Sequence, residues 1–156
     1  MNTFIEVDHY QTSKSRQLAE GDVFLSRKIP GDSRVVSVLS DGLGSGIKAG
    51  VLSTLTATMA LSCIAGDVPV ERTARIIMQT LPVCSERRIS YATFTIVDID
   101  RNLNVRVMEY DNPPFILVRG GAVVRIPKEQ IRLQRTQKRE NTLHYCTFVA
   151  QPGDRL

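Results

Sequence analysis

Tryptophan is absent from the 156 residues, and aromatic residues make up only 6% of them. The core must therefore be aliphatic, and stacking on nucleic-acid bases has little material to work with. A nucleic-acid partner is not expected. Cysteine is scarce too: Cys63, Cys84 and Cys146 stand apart, with no C-x-x-C spacing. An odd number without a pattern excludes a secreted disulfide framework and argues against a zinc site. Cys63 and Cys146 lie in apolar runs, where a thiol behaves as a small buried hydrophobe. The N-terminus lacks a basic segment followed by an apolar stretch, so no signal peptide is expected. The longest nearly uncharged stretch, residues 49–66, is broken by five Ser and Thr and two Gly, which reads as too polar to span a membrane. These absences point to a reduced, cytoplasmic setting without membrane insertion.

What is present is ordinary globular composition: 42% hydrophobic, 23% charged, 20 Lys and Arg against 16 Asp and Glu. A chain of this size can bury one real core, so residues 1–156 are expected to form a single domain. The basic surplus is partly local. Lys128, Arg132, Arg135, Lys138 and Arg139 lie within residues 128–140, which reads as a solvated face or loop.

Residues 3–11 alternate apolar and polar and predict a strand. So does Val23–Ile29, closed by the turn Pro30-Gly31-Asp32-Ser33, and Arg34–Ser40 reads as its hairpin partner, buried on both faces. The period then changes. Ile47, Val51, Leu52, Leu55 and Met59 recur at helical spacing up to a stop at Gly66, and a second helix follows from Pro69 to about Leu81. Strands resume at residues 89–97, 103–110, 115–118, 122–126 and 143–149, and one more begins at Arg155-Leu156, giving about nine in all. Helices grouped between hairpin-linked strands indicate α+β, and so many strands favour two packed sheets.

The most distinctive segment is VVSVLSDGLGSGIKA, residues 35–49. Its glycine spacing is G-x-G-x-G, which fits neither the dinucleotide fingerprint nor the phosphate-binding G-x-x-x-x-G-K-[ST]. A metal site is the better reading. Asp41 ends a strand and offers a hard oxygen, and the Gly42 carbonyl is unobstructed by a side chain. Gly21-Asp22 opens the partner strand, so in an antiparallel hairpin Asp22 and Asp41 should be neighbours. Two carboxylates and a carbonyl suit hydrated Mg or Mn. His9 and His144 lie far apart in sequence, and no carboxylate or Cys spacing makes either a ligand.

Gly21-Asp22, the Val-rich strand, and Asp41-Gly42-x-Gly44-x-Gly46 before a Ser/Thr/Ala-rich helix resemble the metal-dependent PPM (protein phosphatase 2C) serine/threonine phosphatases, in their bacterial SpoIIE branch. Tyr91-Ala92-Thr93-Phe94-Thr95-Ile96-Val97, Asp111-Asn112-Pro113-Pro114 and Gln151-Pro152-Gly153-Asp154-Arg155-Leu156 extend the likeness. The resemblance implies an α-β-β-α sandwich of two antiparallel sheets flanked by helices, with a two-metal centre at one edge. An activated water there attacks phosphoserine or phosphothreonine of a signalling protein. By position, Asp41 would bridge the metals as the catalytic carboxylate, Gly42 would offer its carbonyl, and Asp22 would bind directly or through water. The family has a later Asp-Gly and a further Asp, but Asp41-Gly42 is the sole Asp-Gly pair of this sequence. The expectation is an incomplete C-terminal part, half a metal centre, weak activity and an exposed sheet edge suited to self-association. In that branch the corresponding helices couple partner binding to assembly of the metal site. A phosphatase-like interaction module without activity is the alternative.

Overall fold

The computed structural model describes residues 4–12, 21–44, 46–81, 92–134 and 140–156. In chain order the elements are β1 (Asp22–Ile29), β2 (Arg34–Asp41), α1 (Ile47–Ala65), α2 (Val70–Thr80), β3 (Phe94–Ile99), β4 (Asn104–Tyr110), β5 (Leu117–Arg119), β6 (Ala122–Val124), β7 (Glu129–Gln134) and β8 (Glu140–Val149). They build two antiparallel sheets, one of six strands in the order β1-β2-β3-β4-β8-β7 and one of two, β5-β6. The α+β class follows as the strand and helix grouping implied.

One face of the large sheet carries Val36, Val38, Phe94, Ile96, Met108 and Leu143, which pack with α1 and α2 into the main core. The other face carries Val105, Val107 and Cys146, covered by Phe115, Ile126 and Phe148. Glu109 on that second face is buried, accepts a hydrogen bond from the Phe115 backbone N–H and pairs with Lys128. Burial pushes the Cys146 thiol up, so it stays protonated and inert, as expected of a core cysteine. Cys63 is half-buried; Cys84 lies outside the described residues.

Several readings need correction. Residues 4–12 form no strand: Phe4 and Tyr10 are exposed, and the segment is tied down by His9 stacking on Phe24 and by Gln11 Nε2 donating to the Asp22 carbonyl. A pleat-like alternation is not a strand unless it finds a ladder. Conversely, the charged stretch contains β7, whose Ile131 and Leu133 turn inward while Gln130 and Arg132 face out. An edge strand blunted by charge looks like a solvated run. The helix α1 stripe is rotated from the expected one. Ala49, Leu52, Ser53, Thr56, Ala57, Ala60, Leu61 and Ile64 are buried, whereas Ile47, Val51 and Leu55 are exposed. Small side chains let the helix lie close against β1 and β2, and that proximity outweighs the larger apolar groups. Finally, α1 has a mean hydropathy of 1.5 and is long and apolar enough to cross a membrane by length and composition. Packing on the sheet, rather than polarity, makes it a core helix.

The left-handed residue ending α1 is Asp67, at φ 58°, and not Gly66. Asp67 N–H donates to Ile64 and Val68 N–H to Cys63, the paired bonds of a Schellman motif.

Candidate functional site

Strands β1 and β2 meet in a register that sets Asp22 opposite Asp41. Their Cα atoms are therefore roughly 4.5–5.5 Å apart, with both side chains on one face of the sheet. The two are exposed at the open end of the first hairpin. The adjacency inferred from the turn at residues 30–33 is what the backbone forms.

Strand β2 is not buried on both faces. Val36, Val38 and Ser40 are buried on the helix side, but on the other side Leu39 is 45% exposed and Asp41 is exposed. Ser26 and Ser37 share a hydrogen bond of 2.8 Å on this side. The face bearing Asp22 and Asp41 is thus open at its Asp22–Asp41 end.

Gly42 is glycine for a steric reason. A Cβ there would lie 2.0 Å from the Ala49 carbonyl oxygen of α1. Its N–H donates to the Gly21 carbonyl at 2.9 Å, and its own carbonyl oxygen lies 3.5 Å from where a Gly21 Cβ would stand. The Gly42 carbonyl therefore lies close to Gly21. Gly46, at φ 77°, starts α1 in a conformation costly for other residues.

On its far side Asp41 is held by Thr93, the residue just before β3. Thr93 N–H donates to the Asp41 carbonyl at 2.9 Å, and Ser40 Oγ donates to the Thr93 carbonyl at 2.8 Å. Asn112, in the loop after β4, bonds to Thr93 and Thr95. Sequence reasoning did not single out Thr93 or Asn112. The signal was the Asp-Asn-Pro-Pro turn, whose prolines force an extended backbone just past a strand end.

These donors are all oxygen, and their chemistry fits Mg or Mn with water completing the shell. Among the described residues no group of three or more Asp, Glu, His or Cys forms. Asp22, Asp41 and the Gly42 carbonyl are the candidate members of a partial site.

A groove of about 730 Å³ lies elsewhere, at the opposite end of the sheet. Asp32, Arg34, Asp67, Asp98, Asp100 and Arg106 are among its walls. Asp98 accepts from Arg34 Nε at 2.7 Å and Arg106 Nε at 2.9 Å, and Arg34 also pairs with Asp67. Hydrogen bonding to Asp98 raises the Arg34 pKa above its ordinary value, against the pull of burial. Much of this charge is answered internally, and the groove contains neither Asp22 nor Asp41.

The fold is that of PP2C-type phosphatase domains. The chain belongs to the family of stage II sporulation protein E (SpoIIE), whose family model matches residues 31–156. Among solved structures it is similar to the PP2C phosphatase domain, with a regulatory-domain fragment, of SpoIIE from Bacillus subtilis, with a TM-score of 0.70 and 17% identity over 88% of this chain and 40% of that one. It is similar to the RsbU and RsbW domains of Rv1364c from Mycobacterium tuberculosis, with a TM-score of 0.65 and 17% identity over 90% and 39%. RsbX in complex with magnesium gives a TM-score of 0.66 and 20% identity over 93% and 68%. The chain thus spans about 40% of the first two structures. No curated protein matches it.

Proposed function

We propose that this chain is part of a Mg- or Mn-dependent protein serine/threonine phosphatase that acts on a phosphorylated signalling protein in the cytoplasm. The observation that carries the reading is the register pairing of Asp22 with Asp41 at an open sheet end, next to the Gly42 turn. The magnesium in the RsbX structure and the pairing of RsbU with RsbW domains in the mycobacterial one support the cation and the signalling context. A divalent cation held there supplies an activated water and positive charge for phosphoryl oxygens. The chain's own residues do the positioning. Thr93 anchors the backbone of Asp41, close approach of α1 at Gly42 fixes the turn, and the open face admits a phosphorylated side chain.

Calorimetric titration with Mn, alongside phosphate release from a phosphoserine peptide, tests this. The expected result is weak Mn binding lost in Asp41→Asn and reduced in Asp22→Asn, with low turnover. Mn binding unchanged in both variants would overturn the assignment. The lack of a third carboxylate among the described residues favours a second reading, a phosphatase-like interaction module. Zero phosphate release at saturating Mn selects that reading.

A further inference from the structure

We infer that Asn112 is a positioning residue for Asp41, acting through Thr93. The inference rests on the metal role proposed for Asp41 and adds a device that holds it in place.

The geometry begins with the chain path after β4. Asp111 adopts a left-handed φ of 53°, and Pro113 restricts Asn112 to an extended conformation. The turn carries the Asn112 amide back across the end of the sheet. Its Nδ2 donates to Thr95 Oγ1 at 3.0 Å and approaches the Leu39 carbonyl at 3.4 Å. Its Oδ1 faces the Thr93 hydroxyl in a hydrogen bond. Because both amide protons point to Thr95 and Leu39, Oδ1 must be the acceptor and Thr93 the donor. The Thr93 hydroxyl also lies 3.5 Å from the Asp41 carbonyl, too far to be its main bond. The strong link to Asp41 is the Thr93 backbone N–H at 2.9 Å.

The location gives the contact its meaning. Leu39 and Thr95 form the last rung of the β2–β3 ladder. Beyond it, β2 runs on to Asp41 with a ladder to β1 alone, and what remains toward β3 are the Thr93 N–H bond and the isolated bridge of Gly42 with Ala92. Asn112 clamps the sheet where the ladder stops and the candidate metal ligands begin. It joins β2, β3 and the end of β4 with one neutral side chain. A neutral amide can set the position of Asp41 without adding charge beside a carboxylate that is to meet a cation. A lysine or arginine there would compete for that carboxylate.

The test is Mn affinity, measured by titration and by the Mn electron paramagnetic resonance signal, in the whole chain. Asn112→Ala and Thr93→Val should each weaken Mn binding about 3- to 10-fold, the net worth of one or two hydrogen bonds. The double variant should be no weaker than the poorer single, since both cut one chain of contacts. Thr93→Ser restores the hydroxyl and should bind as the parent does. Urea unfolding in EDTA reports stability separately. If affinity is unchanged while stability falls, the clamp is structural and the inference fails. The same holds if Thr93→Val and Asn112→Ala add independently. Asp41→Asn is the control: if it abolishes binding while Asn112→Ala does nothing, the inference fails alone. If Asp41→Asn leaves binding intact, the metal reading falls and takes the inference with it.

Discussion

At one end of the six-stranded sheet Asp98 is buried between Arg34 and Arg106, its side chain 4% exposed. At the other end Asp22 and Asp41 face each other in register, and both are exposed. Asp98 is compensated by hydrogen-bonded cations, as a buried carboxylate must be, because an uncompensated charge costs several kcal/mol in the interior. Asp100, nearby, is pulled up by burial but ends below its ordinary pKa because Asn104 and backbone N–H groups bond to it. Asp22 makes no ion pair with any described residue. The same residue type is structural where its charge is consumed inside the fold, as at Asp98, and open to solvent where it is not, as at Asp22.

Substitution at the two ends should separate these roles most widely. Asp98→Ala leaves two guanidiniums without their shared acceptor, one of them on a side chain only 10% exposed. It should destabilise the chain by about 3–5 kcal/mol, the range for breaking a buried pair. Asp22→Ala, at an exposed strand start, should shift stability by no more than about 0.5 kcal/mol. Urea unfolding of both variants without metal measures the contrast. Equal losses would mean that the Asp22 end is structural too.

Gly42 qualifies the comparison, because the exposed end is tightly built in its backbone. Gly42→Ala places a Cβ 2.0 Å from the Ala49 carbonyl oxygen, so α1 must move or the turn must deform. A cost of about 2–3 kcal/mol is expected, as for overpacking. Thermal unfolding gives the number. A loss below about 0.5 kcal/mol would show that α1 has room to retreat. The exposed carboxylates would then stand on a yielding frame.

Much of this was legible in the sequence, for reasons that also explain what was not. The pairing of Asp22 with Asp41 followed from a four-residue turn and strand alternation, which determine register in a hairpin. The helices followed from periodicity, yet the face of α1 did not, because Ile47, Val51 and Leu55 carry more hydrophobicity than Ala49, Ser53 and Ala57. Close approach at Gly42 selects the small side chains, and that constraint lies in three dimensions. The Asn112 clamp and the Asp98 network join residues far apart in sequence, so local pattern could not reveal them. Strand β7 was hidden because its outward residues are those of a solvated loop.

The smallest effect concerns the margin between a consumed charge and an exposed one. Asp67 pairs with Arg34, but its own side chain is 83% exposed. It also sits at φ 58°, a left-handed conformation that costs a residue with a Cβ about 1 kcal/mol relative to Gly. An ion pair with one partner in water is worth about 0–1 kcal/mol. Asp67→Gly therefore removes a small gain and a small strain together, and stability should change by less than about 0.5 kcal/mol. Asp67→Ala keeps a Cβ at the strained position and loses the pair, so it should be about 1 kcal/mol less stable than Asp67→Gly. Urea midpoints of the two variants measure the difference. If Asp67→Gly instead loses about 2 kcal/mol, the Arg34–Asp67 contact shares the energetics of the buried Asp98 pair. The boundary between structural and exposed charge would then run outside Asp67, and burial of the cation alone would be enough to make an exposed carboxylate structural.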